Sequence, residues 1–498
     1  MPDPDAPTLG VGVVVSSAIP AAWIAKAVSL LAATGGRVVV RVISSPASSR
    51  ASGWSRLILA LGGTLATADP DAPRPLCAMT GVDMGVEADD LDVVFYLGCG
   101  AENDGSPWAA RLGTWELTVH PSLAGLRETL DDVGAVAVAL RRVGGEGVLR
   151  PSWSRVQRLS PATTRARVLW RAATLPARAL GDLAAGRVAV VADDPDVGGP
   201  LSTWTALRGG TRLAGRAVAT GARRLLARNE WFVAYSIDAD GPLPDLERMT
   251  PLIPPRDRFW ADPFPVVDGD RACIFVEEWP YALGRGVLAA LEIERDGSWR
   301  RLGTVLERPW HLSHPFLFRW QGETWLLPES SAEGNLELYR CIDYPLRWER
   351  ACIVMQDMCI VDATLHEGAD RWWLFANIGD DEVSTHEELH LFFATTPLGP
   401  WTAHPANPVV SDPRSARPAG CLFEWDGRLC RPAQDCGVRY GRALVINEVL
   451  ELTSEMYRER PQACLEPVAL TGANRMHTLN RHEWLTVVDG HRDRWWPK

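Results

Sequence analysis

Three polar residues stand at matching places in the second half of the chain. They are Asp262 in Ala261-Asp262-Pro263-Phe264, His314 in Ser313-His314-Pro315-Phe316 and Asp362 in Val361-Asp362-Ala363-Thr364, spaced 52 and 48 residues apart. Carboxylates close the apolar runs that follow: Glu277 and Glu278, then Glu329, with Asp435 ending a later run. Cleavage or transfer of a glycosyl unit needs two carboxyl groups, one protonated and one ionised. Clustered carboxylates with a histidine beside them push their proton affinities apart, which suits that division. Asp262, Asp362, Glu329 and His314 are therefore the candidate catalytic set, and Trp260, Glu278, Asp435 and His477 the candidate substrate-binding residues. The competing reading is structural, because Asp-Pro at a strand start can cap a turn, and a fourth copy of the motif has Ala419 in that place. His386 and His390 have metal spacing only on a helix, and their segment reads as loop-to-strand, so no metal is expected. No cofactor motif occurs, and none is expected.

The elements that must position these residues form a repeat. Each motif runs into a turn (Val267-Asp268-Gly269-Asp270, Trp320-Gln321-Gly322-Glu323, Glu367-Gly368-Ala369-Asp370) and then an apolar strand (residues 273–276, 324–327 and 372–375). A fourth copy covers residues 418–429, and a weaker fifth begins at His477-Thr478-Leu479. Short strands and tight turns repeating about every 50 residues predict propeller blades, and five copies predict an all-β five-bladed β-propeller over residues 229–498. The first strand of each blade lines the channel, so these polar residues should converge on one axial mouth.

Composition narrows the function classes. The chain has 498 residues, 46% hydrophobic and 23% charged, as ordinary globular proteins do, and is too long for a single core. Residues 1–228 carry 24 Arg and Lys against 20 Asp and Glu, whereas the remainder carries 27 against 42. That acidic part also holds 15 of the 22 tryptophans. It is unlike a nucleic-acid surface and suits a carbohydrate or other sugar-containing small molecule, stacked on indole faces. Ten cysteines without a CxxC pair, an N-terminus without a basic leader and the lack of a long apolar run predict a cytoplasmic location without a transmembrane helix. Two lysines beside 49 arginines read as a high-GC coding bias.

The first half alternates short β-branched runs (residues 10–15, 37–43 and 91–97) with helical spacing at 21–33. This predicts an α/β doubly wound domain over residues 1–150. Residues 151–228 read as a helical junction. Its basic stretch 206–228 fits either an interdomain helix or peripheral contact with an anionic membrane.

Two resemblances add to this. The segment Leu112 to Leu123, with His120-Pro121-Ser122-Leu123, resembles the folate-dependent formyltransferases. That likeness implies a catalytic Asn, His and Asp, of which only His120 is kept. Thr118 stands at the Asn position and Gly145, or Glu146 with a slip, at the Asp position, so a degenerate domain is expected, with formyl or acyl transfer to an amino sugar as a further alternative. The ADPF, HLSHPF, LLPES, VDAT and RPAQD segments, in that order, resemble a domain of plant glucosamine inositolphosphorylceramide transferase, which bacterial chains carry behind a formyltransferase-like domain. It is similar to five-bladed furanosidases and related glycosidases. The resemblance implies a carbohydrate-active protein in cell-surface or lipid-linked glycan synthesis, and the alternative is a non-catalytic module that recognises a glycan or nucleotide sugar.

Overall fold

The computed structural model describes residues 9–43, 68–85, 90–104, 107–145, 147–187, 190–191, 202–238, 241–379, 384–470 and 472–495. They form two compact units that divide at Val218/Ala219.

The N-terminal unit is built on one mixed sheet. Its strands are β1 (Gly10–Val15), β2 (Arg37–Val42), β3 (Val82–Met84), β4 (Val93–Tyr96), β5 (Thr114–Leu117), β6 (Ala135–Arg142), β7 (Val148–Arg155) and β8 (Val190–Val191), in the order β3-β2-β1-β4-β5-β6-β7-β8. The pairs from β3 to β5 are parallel, and those from β5 to β8 antiparallel. The helices are α1 (Ala22–Ala32), α2 (Leu126–Asp131), α3 (Pro161–Ala184) and α4 (Thr203–Leu226). α3 begins at a Ser160 cap whose hydroxyl accepts the Thr163 N–H, with Pro161 at the first helical position.

Trp23, Val28 and Leu31 of α1 share one core with Val168, Leu169 and Leu175 of α3, over Val11, Val13 and Val15 of β1. On the opposite face Val14, Val39 and Tyr96 pack with Trp108. Among the described residues, α1 and α3 thus lie on the same face, so the sheet is α/β and mixed, and the doubly wound arrangement is not what they display. α3, expected in the junction, contributes to this core.

The second unit is a five-bladed β-propeller. From the channel outward, blade I is Arg258–Asp268, Arg271–Pro280, Val287–Glu294 and Trp299–Leu306, and blade II is Ser313–Trp320, Glu323–Glu329, Leu336–Asp343 and Arg347–Met355. Blade III starts with Cys359–Glu367 and Trp372–Gly379, and blade IV has Arg417–Pro418 and Arg428–Asp435 innermost. Blade V is assembled from both ends of the unit. Leu479–His482 and Leu485–Trp495 are completed by Ala227–Ile237 and Thr250–Leu252, with Trp495 opposite Ala227 and Leu485 opposite Ile237.

The recurring motif proves to be a β-bulge. Asp262 and Pro263 together oppose one residue of the next strand, between the pairs Ala261–Glu277 and Phe264–Phe275. His314-Pro315 and Asp362-Ala363 repeat the arrangement. The first bulge residue is left-handed each time, with φ +48° at Asp262, +44° at His314 and +51° at Asp362. The second needs no N–H for the ladder, which is why proline fits there twice. A left-handed non-glycine residue costs about 1–2 kcal/mol, and here it turns a polar side chain into the channel three times.

Candidate functional site: a polyionic cluster at the propeller axis

Each bulge N–H is capped by a carboxylate of the preceding blade. Asp489 of blade V accepts from Asp262 N at 3.3 Å, Asp262 Oδ2 from His314 N at 3.0 Å, and Glu329 Oε2 from Asp362 N at 3.1 Å. The motif is thus an inter-blade fastener as well as a source of charge. Asp262, His314, Glu329 and Asp362 meet at the axis as the repeat predicts. All four are buried, and His314 lies between the two aspartates with Nδ1 3.7 Å from Asp362 Oδ1.

Asp362 is fixed most firmly. Arg417 reaches it with Nε at 2.6 Å from Oδ2 and Nη2 at 3.4 Å from Oδ1, and Gln434 donates to Oδ2 at 2.7 Å. Burial works to raise its pKa, but the Arg417 guanidinium, by its charge and its hydrogen bonds, outweighs it and holds the group below the usual carboxylate range. Glu329 takes the opposite course: burial, then the Asp362 charge, lift it to about 8. Burial holds the His314 imidazole neutral, lowering its pKa against the pull of Asp362 and Asp262.

His477 joins the cluster from blade V. Its ring stacks on Trp231 at 4.2 Å, meets Tyr440 edge-on at 5.0 Å, and its Nδ1 pairs with Asp489. Burial would lower its pKa, yet Asp489 and Asp262 raise it. Asp262, His477 and Asp489 place donor atoms within 4.8 Å of one another. A cation there would have to displace the Nδ1 proton that now serves Asp489, whose Oδ1 already accepts the His477 and Thr478 N–H groups.

The strands' period of two decides the remaining assignments. Glu278 faces Trp260, not the channel: it accepts from Trp260 Nε1 at 3.0 Å and from Arg301 at 2.7 and 2.8 Å. Both expected binding residues are therefore structural. Trp260 is 1% exposed and packs in the core with Val233 and Ile274. Glu277, one residue earlier, turns to the axis. Its carboxyl receives no hydrogen bond among the described residues, and the nearest partner is His311 Nε2 at 3.8 Å. Burial, followed by the charges of Asp262 and Glu329, raises it well above the carboxylate range. Asp435 likewise points away, held by Arg442 at 2.6 Å and the Gly437 N–H at 2.9 Å, while Gln434 takes the axial place. His386, which was set aside with His390, contacts Arg417 Nη1 at 2.8 Å.

In the N-terminal unit the Thr118 hydroxyl accepts the Ala139 N–H at 3.0 Å, so it serves the sheet. His120 Nδ1 is buried and has no hydrogen-bond partner among the described residues, and Glu146 lies outside them.

Fold and site together define a five-bladed propeller with a buried, mixed-charge axial cluster. Residues 253–491 match the family described as glucosamine inositolphosphorylceramide transferase 1, N-terminal. The glucosamine inositolphosphorylceramide transferase 1 of Oryza sativa subsp. japonica is 33% identical over 248 residues, covering 47% of this chain and 33% of that protein. Its Arabidopsis thaliana counterpart is 34% identical over 253 residues, covering 47% and 32%. The chain spans about a third of the length of these relatives. They are plant proteins, which corrects the expectation of bacterial kinship. Among solved structures, a family 117 glycoside hydrolase of Zobellia galactanivorans is 13% identical with a TM-score of 0.35, covering 54% of this chain and 91% of that one. An exo-1,5-alpha-L-arabinanase from a bovine ruminal metagenomic library is 12% identical with a TM-score of 0.34, covering 47% and 95%.

Proposed function

We propose that the axial cluster binds a glycosyl unit and acts on its anomeric bond by acid–base chemistry, with Glu277 the proton donor and Asp262 the facing carboxylate, in lipid-linked or cell-surface glycan synthesis. One observation carries the reading. Glu277 is the axial carboxyl left without a hydrogen bond among the described residues, and burial, followed by the charges of Asp262 and Glu329, raises its pKa and so favours its protonated form. Asp262 is instead oriented by the His314 N–H and by the Thr478 hydroxyl at 2.8 Å. A protonated and an oriented carboxyl side by side are the minimum for glycosyl transfer or hydrolysis. Trp231 and Tyr440 supply an aromatic wall at the same mouth. The names of the matched relatives make glucosamine and inositol phosphates the first ligands to try.

A recognition-only reading is favoured by a different fact: both oxygens of Asp262 and of Asp362 already accept protein hydrogen bonds. The test is saturation-transfer NMR of the full chain with glucosamine, inositol phosphate and nucleotide-sugar ligands, joined to turnover assays on activated glycosides and sugar donors. Binding with turnover that Glu277→Gln abolishes supports catalysis. Binding without turnover favours recognition, and no binding by any sugar sinks both.

A further inference from the structure

Helix α4 carries a surface that the axial site does not use. The sequence of its 24 residues contains five arginines and no acidic residue. One face holds it in the N-terminal unit: Ala206 packs with Leu126 and Leu130, and Leu130 Cβ lies 2.6 Å from where a side chain at Gly209 would begin. Arg216 on that side pairs with Asp132 and donates to the Thr129 carbonyl.

The opposite face is apolar and bare. Trp204 is 71% exposed, Leu207 51%, Val218 73% and Leu225 81%. With Thr211, Ala214 and Ala222, these residues recur at three- and four-residue steps and so form one straight stripe along the helix, about 32 Å long. Arg208 and Arg212 flank it, with Arg224 near its end, and all three are exposed without an acidic partner among the described residues. Among the described residues no helix is long and apolar enough to cross a membrane, so this one would lie on a surface.

We propose that this face of α4 docks on an anionic lipid surface, with Trp204, Leu207, Val218 and Leu225 in the headgroup–acyl boundary and Arg208, Arg212 and Arg224 among the phosphates. The stripe is straight over the whole helix, which a plane covers and a protein groove covers only in part. The chain's net charge of −11 would repel anionic lipid elsewhere, so the exposed arginines beside the stripe select the side that approaches.

The test is flotation of the full chain with vesicles of phosphatidylcholine alone, or with about a third phosphatidylglycerol. The expected result is binding to the mixed vesicles, at least roughly tenfold weaker on the neutral ones and in high salt. Val218→Glu with Leu225→Glu should abolish it, and Arg208→Glu with Arg212→Glu should lower it roughly tenfold, both with unchanged thermal unfolding because these side chains touch solvent. Equal partition into both vesicles overturns the proposal, as does binding that survives Val218→Glu with Leu225→Glu. A self-associating chain that this pair renders monomeric, with no vesicle binding by the parent, assigns the stripe to a second copy and also overturns it.

Discussion

Replacing Arg417 by methionine tests the electrostatic account of the axis most directly. Arg417 is 7% exposed, clasps Asp362 at 2.6 and 3.4 Å and has Glu329 at 3.9 Å. Methionine fills much of the same volume but strands the Asp362 carboxylate with the Gln434 amide and a neutral imidazole. Removing one member of a buried pair costs about 3–5 kcal/mol. With about 2.1 cal/mol/K per residue over a unit of about 270 residues, the propeller's Tm should fall by about 5–9 °C. Adding Asp362→Asn removes the stranded charge. Asparagine tolerates a left-handed backbone, and its carbonyl still accepts from Gln434. The double variant should therefore be more stable than the sum of the single losses implies, with a coupling of at least about 1.5 kcal/mol. Calorimetry of the full chain, following the propeller transition at one pH, reads all four corners of the cycle. A loss below about 1 kcal/mol for Arg417→Met, or strictly additive losses, would refute the reasoning.

Three further outcomes are expected. Asp262→Asn should abolish sugar binding or turnover while costing no more than about 2 kcal/mol, since the amide can still accept the His314 N–H and donate to Thr478; wild-type ligand behaviour in a folded variant removes Asp262 from the site. Glu329 has a folded pKa of about 8, raised from 4.5, so its contribution is fully present below about pH 4.5 and fades as pH rises through about 8. Tm should accordingly decline between about pH 5 and 8, and Glu329→Gln should flatten that slope; an unchanged slope contradicts the assignment. Because the Thr118 hydroxyl is committed to the Ala139 N–H, no formyl-tetrahydrofolate turnover is expected, and turnover that His120→Ala removes would show a working formyltransferase site.

The parts of the site that were legible in sequence are those carried by the repeat. Asp262, His314 and Asp362 recur because the same bulge recurs, and Asp-Pro or His-Pro is its chemical signature. Side-chain direction was less legible, because in a strand one residue of slip exchanges the two faces. Glu277 and Glu278 are neighbours of the same type, and their ladder partners Ala261 and Trp260 separate them only once the register is known. The same ambiguity exchanged Gln434 with Asp435. Arg417 was missed because its strand has only two residues, Arg417–Pro418, and the repeat was aligned on Ala419 instead. In the N-terminal unit, local patterns found β1, β2, β4 and α1. The antiparallel turn of the sheet at β5–β6 depends on pairing between distant segments, which no short window contains.

The two-ended composition of blade V has a consequence for biosynthesis. Ala227–Ile237 must wait for Leu485–Trp495, whose paired residues lie about 250 positions downstream. At about 5–20 residues per second, the ribosome takes roughly 10–50 s to deliver the partner. Throughout that interval Trp231, Phe232 and Val233, all buried in the finished ring, sit on an open strand edge beside a growing set of unfastened blades. The nascent chain is then most exposed to wrong pairing, including with the same edge of a neighbour on the polysome. Holding that one strand until Leu485–Trp495 has emerged is the task this architecture sets for the cell's chaperones.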